Sequence, residues 1–386
     1  MIRRLSALTA LGLAAGVAAF PALAQQQGIT DTEIVVGDIL PLTGPPALLG
    51  VAHNLGVKVA VAEVNAAGGI NGRKVRLISE DDGYVPSRTV QGVRKLLTSD
   101  KVFALTSLSG TAQGQAALPQ VKQAGIPTMA TISLFDDLYK PAIKNVFSIG
   151  NDFETVTANL VGKVADKNPG KKWAIISQDD EYGELVRQGF EKAMKEKKFT
   201  VVSSQIYKKG QTDFSSEILK VKQSGAEALM AGGVLGENVA MAKELERVGE
   251  KIPMAVTFVS RVPATMKLMG TAGENVYTVD YVTLEDSARG KAFFDKVRLY
   301  LSAEEQARVN RYTETGYAGA RVLFDAIRRC GKTPTWDCTN AELAKTQNFD
   351  TGVMTPISFS ATQHLAAPSL FLMKSDPAAL TYKTLE

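Results

Sequence analysis

The sequence is poor in the side chains that acid–base, redox and metal chemistry use. Two histidines, His53 and His364, and two cysteines, Cys330 and Cys338, are all it carries in 386 residues. Neither histidine stands at a metal-ligand spacing or beside a partner base, so both read as surface or structural residues. There is no Gly-x-Ser-x-Gly elbow, no Walker loop and no Gly-x-Gly-x-x-Gly after a strand, which removes the common hydrolase, nucleotide-hydrolysing and dinucleotide-binding motifs. An excess of one charge is missing too: 44 Lys and Arg stand against 40 Asp and Glu, a net +4. The short lysine runs (Lys171-Lys172, Lys195 to Lys198, Lys208-Lys209) have no aromatic residues interleaved, so no nucleic-acid face is expected. No tract is of low complexity, and after Phe20 no stretch reads as long and apolar enough to span a bilayer.

What is present begins with an address. Arg3 and Arg4 precede an apolar run from Leu5 to Phe20, and Ala22-Leu23-Ala24 supplies small residues before Gln25, the three parts of a secretory signal. Residues 1–24 are therefore expected to be removed on export, and no cysteine follows to carry a lipid. In an oxidising compartment Cys330 and Cys338, grouped around Gly331, Pro334 and Trp336, can close one small disulfide loop, worth about 2–3 kcal/mol. Two free thiols are the alternative. The remaining length exceeds one comfortable core and points to two domains.

The stretch from Val102 to Ser133 organises the rest. Val102 to Thr106 reads as a buried strand, Ser107 to Thr111 as a small polar turn, Ala112 to Ala124 as a helix and Ile126 to Ser133 as a second strand. Both strands end in Ser, Thr, Gly or Ala at the carboxyl edge, where open α/β sheets hold ligands. The helix after Thr111 starts with unpaired N–H groups at the positive end of its dipole, which suits a carboxylate, although Ser and Thr there can equally serve as caps.

The same grammar runs through the chain. Ile34 to Leu40 is a near-continuous apolar strand, Leu48 to Ala67 a helix with Val57, Val61 and Val64 at core spacing, and Gly68 to Arg73 a tight turn into Val75 to Ile78. After Asn145 strands recur at 146–149, 173–177, 201–203, 228–231 and 254–258, with helices at 185–197, 214–223 and 238–248 between them. A third block has a strand at Tyr277 to Tyr281, a capping box at Ser302 to Glu305 opening a long helix toward Arg329, and a terminal hairpin made by Val353 to Phe359 and Leu370 to Met373. This is α/β with two doubly wound lobes. The carboxylate clusters Glu80-Asp81-Asp82 and Asp179-Asp180-Glu181 read first as solvated loops and second as cation sites. Gly232-Gly233-Val234-Leu235-Gly236 reads as a tight turn between strand and helix.

Several of these segments together resemble one family. Ile34 to Gly37 with Pro41-Leu42-Thr43-Gly44, Asn65 to Arg73, Asp81-Asp82, Ser109-Gly110-Thr111, Ala124-Gly125-Ile126-Pro127 and Asp180-Glu181-Tyr182-Gly183 are similar, in order, to the leucine/isoleucine/valine-binding proteins, periplasmic solute-binding components of ABC transporters. The resemblance implies a type I periplasmic-binding fold with a multi-strand hinge near Asn145 to Asn151 and Val276 to Tyr281. Its expected lobes are residues 28–147 plus 278–350 and residues 148–277 plus 351–386. It implies a small apolar carboxylate as the guest, held by Ser109, Gly110, Thr111, Ala130 and Thr131 of the first lobe and by Tyr182 of the second; Val234, Ser260 and Arg261, at positions where this chain departs from the family, are the further ligand-binding candidates of the second lobe. It also implies no cofactor, no metal, no catalysis, a monomer, and a membrane permease as partner. Where amino-acid binders of the family place an acid near Phe258, this chain has Val259-Ser260-Arg261. An unpaired buried ammonium is costly, so an organic acid without an α-amine is as well suited as a branched-chain amino acid. An exported sensor or an enzyme on the same scaffold stays open.

Overall fold

The computed structural model describes residues 26–168, 170–283 and 287–385, so the expected signal segment and its cleavage point lie outside the described residues. The first lobe is built from β1 (Glu33–Leu40), α1 (Ala47–Ala66), β2 (Lys74–Asp81), α2 (Pro86–Thr98), β3 (Ala104–Ser107), α3 (Thr111–Ala124), β4 (Thr128–Met129) and β5 (Val146–Phe147). The chain crosses into α4 (Phe153–Lys167), β6 (Lys172–Gln178), α5 (Glu181–Lys197), β7 (Thr200–Tyr207), α6 (Ser215–Gln223), β8 (Ala228–Gly232), α7 (Gly236–Arg247), β9 (Met254–Val256), α8 (Pro263–Met269) and β10 (Val276–Asp280). It returns to α9 (Ala288–Tyr300), α10 (Ala303–Gln306), α11 (Arg311–Arg329) and α12 (Trp336–Ala344), and ends in β11 (Phe371–Asp376) and β12 (Thr381–Thr384).

Strand order in the first sheet is β2-β1-β3-β4-β5 and in the second β12-β11-β10-β9-β8-β6-β7. The run β7-β6-β8-β9-β10 repeats the winding of the first sheet, all parallel, with β11 and β12 added antiparallel. In each lobe the order reverses beside the first strand, between β1 and β3 and between β6 and β8. Loops at the carboxyl ends of strands diverge at such a point and leave a crevice. The two crevices face each other.

Three local readings change. The capping box at Ser302 is present but opens only α10, because Asn310 caps a second start and makes its own box with Thr313. The terminal hairpin is β11 with β12, while residues 353–359 lie against the first lobe, with Phe359 packed on Phe147 at 5.3 Å between ring centroids. Only Thr128–Met129 of the second organising strand is sheet, since Ala130 onward turns into the crevice. The lobe limits move accordingly. Residues 278–280 belong to the second sheet through β10, and residues 364–366 run beside β5, bonded through Ser148.

Among the described residues helix α1 is the one helix whose 20 residues are long and apolar enough to cross a membrane, contrary to the expectation, yet it is mostly buried inside the lobe. Its partner is α11, and glycines let the two backbones touch. A Cβ on Gly56 would sit 2.0 Å from the Thr313 carbonyl oxygen and one on Gly316 2.1 Å from that of His53. That crossing brings the first turn of α11 to the crevice. Cys330 and Cys338 form the disulfide, closing the loop between α11 and α12. His364 is buried and stacked on Phe147, a structural histidine.

Candidate ligand-binding cleft

The strand tips of both lobes meet around a narrow cleft with a cavity of about 30 Å³. From the first lobe Pro41, Gly110, Thr111, Thr131 and Leu134 face it, and from the second Phe153, Tyr182, Val234 and Phe258. Tyr281, after β10, and Arg311 with Tyr312, at the start of α11, complete the wall. Among the described residues that line it, Arg311 is the one charged side chain.

Arg311 is held in a buried ionic cluster. Its Nε and Nη2 donate to the two oxygens of Asp280 at 2.6 and 2.8 Å, and Asp280 also accepts from Arg261 Nε. Arg261 Nη2 lies 4.0 Å from Glu314, which accepts a bond from the Thr283 hydroxyl at 2.5 Å. Burial alone raises the Asp280 carboxyl, but the Arg261 and Arg311 charges outweigh it and hold it below the usual value. The Arg311 guanidinium also lies over aromatic rings, 4.4 Å from the centroid of Phe258, 4.8 Å from Tyr312 and 5.3 Å from Tyr281, the geometry of cation–π attraction. Burial pushes the phenols of Tyr312 and Tyr281 up, so both stay protonated donors.

On the first lobe α3 begins at the cleft. Its leading N–H groups have no partner within the helix, and no side chain caps them. Gly110 is required there: its φ is +29°, and a Cβ would meet the Tyr84 ring at 2.6 Å. Thr131 Oγ1 lies 2.6 Å from His53 Nε2. Burial drives the His53 pKa down to about 3, so the ring is neutral, and its Nδ1 has no partner. Putting the proton on Nε2 leaves an unpaired lone pair rather than an unpaired N–H, the cheaper choice. Thr131 then accepts from His53 and keeps its own proton to donate.

The expected site residues separate into two groups. Gly110, Thr111, Thr131, Tyr182 and Val234 line the cleft. Ser109, Ala130, Ser260 and Arg261 lie behind it. Ser109 Oγ is buried without a hydrogen-bond partner, Ala130 spends its N–H on the Phe147 carbonyl, and Ser260 donates to the Val234 carbonyl at 2.8 Å while accepting from Asn238. Arg261 is buried against Asp280, so the cation expected at the cleft is Arg311 in its place. Tyr182 offers its ring only: its hydroxyl is tied to Thr257 at 2.8 Å and to the Gly233 carbonyl at 3.2 Å. The acidic clusters are structural as well. Asp81 accepts from the backbone of Leu42, Thr43 and Gly83, Asp82 from Tyr84 N–H and the Thr89 hydroxyl, and Asp180 caps α5. Among the described residues no group of three potential metal ligands is assembled.

The lobes touch across the cleft mouth. Lys209 Nζ, from the loop after β7, donates to the Tyr84 carbonyl at 3.1 Å and stands 3.8 Å from the centre of the Tyr84 ring. The sequence reading missed both, along with Arg311, Tyr281 and Phe153. One signal for Arg311 exists: a cation at the first position of a helix opposes the dipole, and needs an anion to hold it.

Two crevices of one winding facing each other across strand tips is the plan of a two-lobed binder, and a comparison with known proteins decides which. The model of the family described as periplasmic binding protein matches residues 33–379. The chain belongs to that family. Within it, the chain is 26% identical over 346 residues to a Leu/Ile/Val-binding protein homolog 3 from Brucella melitensis, covering 89% of this chain and 92% of the relative. A branched-chain amino acid ABC transporter structure from Thermus thermophilus with bound valine has the same fold, with a TM-score of 0.84 at 18% identity over 92% of this chain and 96% of that one. A solute-binding protein of an ABC transporter from R. palustris in complex with benzoate superposes with a TM-score of 0.80 at 20% identity, over 91% and 95% of the two chains. The fold is therefore the type I periplasmic-binding fold. This periplasmic binding protein binds a solute and is not an enzyme.

Proposed function

We propose that the protein captures a small carboxylic acid with an apolar body and no α-ammonium, closes its lobes over it in the periplasm, and delivers it to the permease of an ABC importer. The observation that carries this reading is the charge of the cleft lining: Arg311 is its one charged side chain among the described residues, and the carboxylate next to it, Asp280, lies behind the wall with its oxygens taken by Arg261 and Arg311. A buried ammonium without such a partner costs several kcal/mol. A carboxylate meets the Arg311 charge, the Thr131 hydroxyl and the first N–H groups of α3, all donors. Phe153, Tyr182, Val234 and Phe258 give its hydrocarbon part an apolar wall. Ligands in the two solved relatives, valine and benzoate, both carry a carboxylate beside an apolar group, which supports the class while leaving the amine as the point of difference.

Export fits the arginine-led apolar segment at the amino terminus, with cleavage near Ala24 and a monomeric mature chain. The hinge in this reading is the set of crossings at 148–152, 280–283 and 366–370, and closure bends these while each lobe stays rigid. Ligand that binds only the closed form stabilises the fold by linkage, about 2.7 kcal/mol at a hundred times its Kd. A thermal-shift panel of aliphatic and aromatic monocarboxylates is expected to contain members that raise Tm by several degrees. A panel in which no acid moves the transition overturns the reading.

A further inference from the structure

Outside the inner cleft lies a second chamber, and it is the larger of the two. It opens about 480 Å³ to the centre of a water molecule, against about 30 Å³ for the inner cleft. Its walls are mostly hydrocarbon: Pro45, Pro46, Val85 and Pro86 of the first lobe face Val234 and Leu235 of the second. Two of its residues, Tyr84 and Val234, also line the inner cleft, so one side chain thickness separates the compartments. The inner space is smaller than the cavity of about 150 Å³ that accommodates benzene, so it suits the head and first carbons of an acid better than a long tail.

Tyr84 is built to be that partition. It has a positive φ of +64°, a backbone state that costs a non-glycine residue on the order of 1 kcal/mol and clusters at functional sites. Asp82 holds its N–H, and its carbonyl accepts from both Gln113 at 2.7 Å and Lys209 at 3.1 Å. The ring is covered on one face by the Lys209 ammonium and approached by the Cα of Gly110. The backbone is thus pinned by both lobes, while no hydrogen bond from the side-chain hydroxyl is present among those described.

We infer that this chamber is the second compartment of the ligand site: it receives the apolar tail of a carboxylate whose head lies in the inner cleft, and Tyr84 turns aside to join the two. The inference rests on the carboxylate reading above and narrows it to acids with an extended tail. An acid short enough to stay inside leaves the outer chamber to water. Each methylene beyond that moves from water onto the walls formed by Pro45, Pro46, Val85 and Leu235.

The test is calorimetry of the mature chain with straight-chain carboxylates from four to ten carbons, on the wild type and on Val85→Trp. Val85 is 41% exposed on the chamber wall, so an indole there fills the chamber without entering the core. The inference expects wild-type affinity to climb about fourfold per added methylene once the tail passes Tyr84. It expects Val85→Trp to abolish that climb with the four-carbon acid unchanged. An affinity that is flat or falling with length in the wild type overturns it, as does a variant that weakens short and long acids equally. If no member of the series binds, the carboxylate reading itself fails, a distinct outcome.

Discussion

Replacing Arg311 by Met weakens carboxylate binding by roughly 10- to 150-fold, the range of one charged hydrogen bond, and lowers stability by several kcal/mol. Both losses have one origin. Asp280 is fully buried and lies between two guanidiniums, and Arg311 supplies two of the bonds that keep it ionised. Removing one partner of a buried pair costs about 3–5 kcal/mol because the other charge is left uncompensated. The retained Arg261 bond places the cost toward the lower end. The double variant Asp280→Asn with Arg311→Met separates the effects: stability returns toward the wild type, because no uncompensated carboxylate is left, while affinity stays low. Denaturant unfolding and calorimetric titration on the three proteins check this. Wild-type affinity in Arg311→Met would remove Arg311 from the site.

The second large effect is on stability and has an unusual sign. Asp38, in the middle of β1, is buried, and burial raises its carboxyl from 3.8 to about 6, with only the Asn54 and Ser79 hydrogen bonds and the distant Lys58 charge opposing. Its Oδ1 has no partner. In the folded state the group therefore holds its proton through a range where the unfolded chain has released it. Between pH 4 and 6 the native state binds more protons, so stability falls as pH rises and then levels off. The shift from 3.8 to about 6 corresponds to about 3 kcal/mol lost by neutral pH. Asp38→Asn keeps the acceptor for Asn54, whose Nδ2 lies 2.9 Å away, and removes the charge. It is expected to be more stable than the wild type by up to about 3 kcal/mol at pH 7 and equal to it near pH 3. Urea unfolding at a series of pH values reads the difference directly, and a variant less stable than the wild type at pH 7 contradicts the account.

Much of the scaffold was legible because it obeys local rules. β1, β6 and β8 are apolar runs of the kind a parallel sheet buries on both faces, and α1, α5 and α7 follow them at helical spacing. The misreadings arose where two local signals compete. Ser302 carries a true capping box, but Asn310 carries a second one eight residues later, and the sequence has no means of saying that the chain turns between them. Residues 353–359 have the composition of a strand yet pack as an irregular segment on Phe147, since tertiary contacts supply what a ladder would.

In the cleft the split is sharper. Gly110, Thr111 and Thr131 were legible as small polar groups at strand ends. Tyr84, Phe153, Tyr281 and Tyr312 were not, because an aromatic at the start of a helix or the end of a strand reads the same whether it packs in a core or faces a ligand. The arginine was assigned to the wrong position for a related reason. Arg261 and Arg311 both end on Asp280, but α11 is far in sequence from the turn that carries Arg261, and the glycine-mediated crossing of α1 and α11 brings the Arg311 guanidinium to the cleft while Arg261 stays behind it.

The central claim is that the cleft takes the carboxylate and has no place for an ammonium. Titrating the mature chain with 4-methylpentanoate and with leucine, two ligands that differ only in the α-amino group, tests it most directly. The account predicts that the acid binds at least tenfold more tightly than the amino acid. Leucine binding as tightly as 4-methylpentanoate, or more so, would contradict it.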